Sequence, residues 1–180
     1  METTTPTVET FDALAAAQNQ AYPEDTVNVY LNAAAARQAH LYESQINDST
    51  DPEEVDRIEA LRKVELQAVK DSALTFHLRG VAPGFVTALQ DLARVKFPDK
   101  DGEQFSAERS DWFLYSLVAE HITKVTNASG AEDANTWDLD RVKAFRGAVQ
   151  DSEWKRLEEA VSGLTFASAY FDAAVTADFS

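Results

Sequence analysis

Along most of this chain, apolar residues recur three and four positions apart, the spacing that lines one face of a helix. The run from Glu24 to Asn47 places Val27, Tyr30, Leu31, Ala34, Gln38 and Leu41 on one such face, which predicts a helix there. Alanines at 33 to 36 let a neighbouring helix approach closely. A polar break, Asn47 to Thr50, leads into Asp51-Pro52-Glu53-Glu54. That tetrapeptide joins a capping carboxylate, a proline preset for the first helical position and two acids at the positive end of the helix dipole. A second helix then presents Val55, Ile58, Leu61, Val64 and Ala68 as far as about Lys70. Two long helices with a short polar connection predict an antiparallel hairpin. Its first arm, of roughly 23 residues, would be about 35 Å long, able to project from a domain or to self-associate through its remaining apolar stripe.

One stretch breaks the helical rhythm. Between Asp71 and Pro83, Leu74, Phe76 and Leu78 alternate with Thr75, His77 and Arg79, and Gly80 and Pro83 close the run. Period-two alternation with turn residues at its end predicts a half-buried strand. A lone strand leaves its backbone groups unpaired, so it must join another segment, such as Val95 to Phe97, or the edge of another molecule. On that expectation Leu74, Phe76 and Leu78, together with Val27, Leu31 and Leu41 of the hairpin, are the candidate partner-binding residues.

Helical spacing then resumes. Pro83 to Arg94 points Phe85, Leu89 and Leu92 inward, and Phe97 to Gln104 reads as a loop. Ser106 caps a helix to about Thr126 with Phe113, Leu114, Leu117, Val118, Ile122 and Val125 on its apolar face. Asn127 to Thr136 reads as a small-residue polar linker. Leu139, Val142, Phe145 and Val149 mark one further helix, and Ser152 caps a last one carrying Trp154, Leu157, Val161 and Leu164. Before all of these, Val8 to Gln20 could form a short Ala-rich helix. The pattern as a whole predicts a mainly α fold: a helical domain with a long antiparallel helical hairpin and one short strand or β-hairpin. It divides into a flexible or weakly helical segment over 1–22, the hairpin over 23–71 and a mainly helical core domain over 72–180.

Charge narrows the partners. With 31 acidic against 16 basic residues, the net charge is −15, so the surface repels phosphate backbones, whose binding depends on Lys and Arg releasing counterions. No nucleic-acid partner is expected. The absence of cysteine removes disulfides, thiol nucleophiles and cysteine-ligated metals. The first residues lack the basic and apolar regions of a secretory signal, and no run of about 18 apolar residues appears, so neither export nor a membrane partner is expected.

Candidate chemistry is sparse. His40, His77 and His121 fall on separate elements without the i+4 partner of a metal-binding helix. His121 reads as a hydrogen-bonded core histidine and His77 as a solvated one. Asp99 to Glu103 has the flavour of a calcium loop, but counting from Asp99 its Gly102 is fourth where an EF-hand needs Gly sixth, and Ser110 stands at the twelfth position in place of Glu, so it reads as a turn. Acidic pairs such as Glu53-Glu54 and Glu158-Glu159 fall at helix starts or solvent faces, where capping and solubility explain them. Trp112, Trp137 and Trp154 read as core anchors. No catalytic residue, no metal ligand and no cofactor is expected, and the protein reads as a non-enzyme.

One ordered set of segments resembles a known family. EEVDRIEALRKVELQAVKDS runs into SALTFHLRGVAP; then come FVTALQDLA, an acidic loop, WFLYSLVAEHITKV, LDRVKAFRGAV and DSEWKRLEEAVSGL. This layout is similar to that of the tail assembly chaperones of long-tailed phages infecting actinobacteria. The likeness spans about Glu54 to Phe166 and is best over Ser72 to Leu78 and Glu153 to Leu157. It implies a non-enzymatic protein of the infected host cytoplasm that coats the tape-measure protein, delivers tail-tube subunits and is absent from the finished particle. A possible homo-oligomer fits the same picture. The alternative is a structural virion protein, such as a minor capsid, decoration or tail-completion subunit.

Overall fold

The computed structural model describes residues 22–98 and 106–165. The Ala-rich helix expected within Val8 to Gln20, the Asp99 to Glu103 turn and the apolar end beyond Thr165 lie outside them. The described chain is mainly helical, with a small three-stranded antiparallel sheet. Its elements are β1 (Glu24–Tyr30), α1 (Ala33–Asp48), α2 (Pro52–Asp71), β2 (Ala73–Arg79), α3 (Pro83–Lys96), α4 (Ala107–His121), β3 (Ile122–Asn127), α5 (Leu139–Ala148) and α6 (Asp151–Thr165).

The strand expected from Leu74 to Leu78 forms, but it is neither alone nor at an edge. β2 is the middle strand, paired with β1 on one side and β3 on the other. Both neighbours lie where the spacing predicts helix, and the structure makes them strands. In β1 the residues Thr26, Val27, Asn28, Val29 and Tyr30 also alternate, and Val27 and Val29 are buried while Asn28 is exposed. Three-and-four spacing and alternation share many positions over so short a window, and β-branched valines together with pairing to β2 decide for the strand. Helix α1 therefore begins only at Ala33, where the Asn32 side chain accepts from the Ala35 amide at 3.0 Å.

The same correction applies further on. The helix expected to reach Thr126 ends at His121, and Ile122 to Asn127 turn into β3. Val95 to Phe97, offered as the partner of β2, instead closes α3, with the Phe97 amide bonded to the Ala93 carbonyl. Leu92, expected inward, is 59% exposed, and Ala93 takes the buried position beside Leu89. Ser152 lies inside the first turn of α6 rather than capping it.

Register explains the core. Val27, Phe76 and Val125 stand opposite one another across the three strands, and all three are buried on one face. Against that face pack Leu89 of α3, Leu117 and Val118 of α4, Val142 of α5, and Trp154, Leu157 and Val161 of α6. The opposite face carries Thr26, Asn28, Thr75, His77, Lys124 and Thr126 and is polar, as antiparallel sheets with one wet side are. Thr75 Oγ1 donates across it to Asn28 Oδ1 at 2.7 Å.

Both sheet edges are blunted. Beside β1, the Tyr30 amide donates to Glu153 Oε2 at 2.9 Å, and Arg156 reaches the Asn28 carbonyl from the same helix, α6. Beside β3, the Asp133 amide donates to the Val125 carbonyl and the Asn127 amide to the Ala131 carbonyl. A peptide seeking to extend the sheet meets these groups already in place.

The capping tetrapeptide works as its sequence predicts. Asp51 accepts from the Glu53 amide at 3.0 Å, and Pro52 opens α2. Helices α1 and α2 pack on each other and make few contacts with any other element. Their cross-links run from one end to the other: the Asn32 amide to Ser72 Oγ, Arg62 to Glu43, and Ser49 Oγ to Glu54.

Candidate functional site

A concavity of about 680 Å³ lies between the end of α4, β3 and the segment leading to α5. Glu120, Lys124, Glu132, Asp133 and Asp138 line it. Asp133 organises this wall and is consumed by doing so. Its oxygens accept from the Asn135 amide and side chain and from Trp137 Nε1, and pair with Arg141. The Asn135 hydrogen bonds, reinforced by Arg141, hold its carboxyl below the usual carboxylate range. Asn127 acts similarly, its Oδ1 accepting from the Ser129 and Ala131 amides around Gly130, whose φ of +82° is the left-handed backbone that glycine tolerates best. These groups build a wall rather than a reactive pair.

The histidines fall as their positions predict. His121 is fully buried, with Nδ1 2.7 Å from the Leu117 carbonyl and Nε2 3.1 Å from Thr165 Oγ1. A carbonyl can only accept, so Nδ1 carries the proton. In the neutral ring Nε2 then accepts from the Thr165 hydroxyl, for which the Val161 carbonyl at 2.8 Å competes. His121 thus ties the end of α4 to the end of α6. His77 is half-buried on the polar sheet face and His40 is exposed. Among the described residues no group of three or more His, Cys, Asp or Glu could hold a metal ion.

Burial lowers the His121 pKa, outweighing the opposing pull of the Leu117 carbonyl and the Glu120 charge. Between that lowered value and the ordinary value near 6.5, the unfolded chain binds the proton that the folded chain refuses, so stability falls as pH drops through this window. Denaturant midpoints measured from pH 7 downward should show this loss, at no more than about 1.4 kcal/mol per pH unit for one proton. His121→Gln should flatten that part of the profile. An unchanged slope in the variant would assign the loss to other groups.

The six candidate contact residues separate sharply. Val27, Phe76 and Leu78 are buried in the core and offer no surface in the folded chain, while Leu74 is half-buried against it. Leu31 and Leu41 are 49% and 44% exposed. Beside Leu41 the structure adds two residues that the helical pattern placed on the packing stripe of α2, Leu61 and Val64, which are also exposed.

Geometry shows why. At about 100° per residue, Ala35 and Ala39 of α1 and Ile58 of α2 define the facing sides, and they are the buried positions of these helices. Ala34, Gln38, Leu41 and Gln45 then fall on one flank of α1. Arg57, Leu61, Val64 and Ala68 fall on the same flank of α2. The opposite flank is ionic, with Arg62 3.4 Å from Glu43 and Lys63 3.6 Å from Glu59. On a chain of net charge −15, these eight flank residues include no acid, and Glu65 borders Leu61 on the side of Ile58. Leucines on a helix stripe announce burial from sequence; only the pairing shows which of them remain open.

No helix among the described residues is long and apolar enough to cross a membrane. The chain matches no protein-family model, no curated protein and no solved structure.

Proposed function

We propose that this protein is a non-enzymatic tail assembly chaperone of a long-tailed phage, acting in the host cytoplasm on tape-measure and tail-tube proteins. The observation that carries the reading is the open flank of Leu41, Leu61 and Val64 on a helix pair that touches little else. A tape-measure protein is a long helical client with apolar stripes. A flank that is apolar and uncharged between Arg57 and Asp71 can receive such a stripe as one helix receives another, while the acidic remainder keeps the complex dispersed. The two helices act as a projecting antiparallel hairpin, and the sheet supports its base. The segment order described above, from the charged helix through the strand to the tryptophan-bearing last helix, supports the same reading.

The test is quantitative mass spectrometry of this protein in infected-cell lysate and in purified particles. Abundance in lysate with absence from particles is expected. A fixed copy number in particles would overturn the chaperone and identify a structural virion protein, the alternative that a projecting helical pair also suits.

A further inference from the structure

We infer that the open flank of α1 and α2 pairs with the same flank of a second copy of this chain, across a two-fold axis at Val64. A second copy covers the flank offered above to a client, so copy and client compete for it, and the inference stands whatever the client is. It rests on spacing along α2. Arg57 and Asp71 lie seven residues to either side of Val64, two helical turns away on the same stripe, and Ala60 and Ala68 lie four to either side. When two copies of α2 cross antiparallel at Val64, each Arg57 faces the Asp71 of the other copy. The charge pattern is therefore complementary to itself. A repeat of seven is also the spacing that keeps one stripe facing a partner helix.

The environment agrees with this occupant. Val64 is 66% exposed, and the small side chains of Ala60 and Ala68 let two backbones come close. Arg57 holds only a surface contact to Glu54 at 3.6 Å, and Asp71 accepts from Gln67 at 2.7 Å; both are exposed and free to turn. On α1, Leu41 lies near the same axis, so α1 and α2 of both copies would form a four-helix bundle with every neighbour antiparallel. The antiparallel arrangement sends the two sheet-bearing bodies, each with more acidic than basic residues, to opposite ends. A parallel one would bring them together.

The contact is small. A flank two helices wide and 16 residues long measures about 20 Å by 24 Å, below the roughly 800 Å² per partner of a standard stable interface. A concentration-dependent equilibrium is therefore expected.

Sedimentation of the full chain over a concentration series should show monomer and dimer exchanging. Val64→Asp should raise the dissociation constant more than about tenfold, the effect of losing a central contact. Arg57→Glu and Asp71→Arg should each weaken the dimer, and the double variant should recover it. Because the chain has no cysteine, Val64→Cys places one thiol at the axis, and mild oxidation should yield a disulfide-linked dimer. Lys63→Cys, on the ionic flank, should not. A wild-type monomer at every concentration would overturn the inference, whether the thiol introduced at 64 reacts freely or is shielded by another part of the same chain. A dimer indifferent to Val64→Asp would overturn it too. Client binding by a strictly monomeric chain would leave the chaperone reading standing while this one fell.

Discussion

Replacing Phe76 with alanine should destabilise the fold by about 3–5 kcal/mol, the range for deleting a large buried aromatic. Phe76 is fully buried at the centre of the middle strand, flanked by Val27 and Val125. Its ring meets Trp137 edge-on at 5.0 Å and Phe145 at 5.3 Å, and those two rings meet each other at 5.3 Å. Truncation therefore opens a cavity where the sheet, the Asp133 segment and α5 converge, and paired strands on both sides leave little room for collapse. Such a loss is a large share of the 5–15 kcal/mol that stabilises a typical domain. Urea denaturation followed by circular dichroism should show a lower midpoint with an unchanged slope. A loss below about 1 kcal/mol would mean that the site relaxes, contrary to close packing. Phe76→Asp should prevent folding, which disqualifies it as a probe of partner binding.

The second large effect is expected at Leu157. It is fully buried on α6, between Trp154 and Val161, on the stripe that packs against the sheet. Leu157→Ala should cost about 2–5 kcal/mol. The same helix shields the outer edge of β1 through Glu153 and Arg156, so loosening it should also expose backbone groups for edge-to-edge association. Light scattering on partial denaturation should rise in Leu157→Ala relative to the wild type. Leu92→Ala is the matched control: an exposed leucine on α3, its loss should stay within about 0.5 kcal/mol. Equal effects at the two positions would contradict the packing described here.

The contrast between these leucines marks how far local pattern reaches. Signals that act within one turn were legible: the Asp51-Pro52 start of α2, the Ser106 cap of α4, and the stripe Trp154, Leu157, Val161 of α6 all form where the residues indicate. The alternation of Leu74, Phe76 and Leu78 was legible as well. Their role was not, because position within a sheet depends on which distant segments arrive beside the strand. With β1 and β3 on either side, residues that would form an exposed handle on a lone strand become the core.

Segments whose local pattern fits two structures were settled by those same long-range contacts. Val27 with Tyr30 and Leu31 fits a short helical stripe, Val27 with Val29 fits a strand, and hydrogen bonding to β2 selected the strand. Ile122 to Asn127 continued the apolar spacing of α4, yet their pairing with Leu74 to Leu78 drew them out of the helix. The polar residues that shape the sheet edges, Glu153 beside Tyr30 and Asp133 beside Val125, carry no local signature of that duty.

By itself, then, the sequence determined the mainly helical character, the helix starts at Asp51-Pro52 and Ser106, the acidic surface and the lack of thiol chemistry, since each follows from residue type or near-neighbour spacing. The tertiary structure decided the three-stranded sheet, the burial of Phe76 and Leu78, and the exposure of Leu41, Leu61 and Val64. These depend on contacts between residues far apart in the chain, where hydrogen bonding and the exclusion of water act between whole elements.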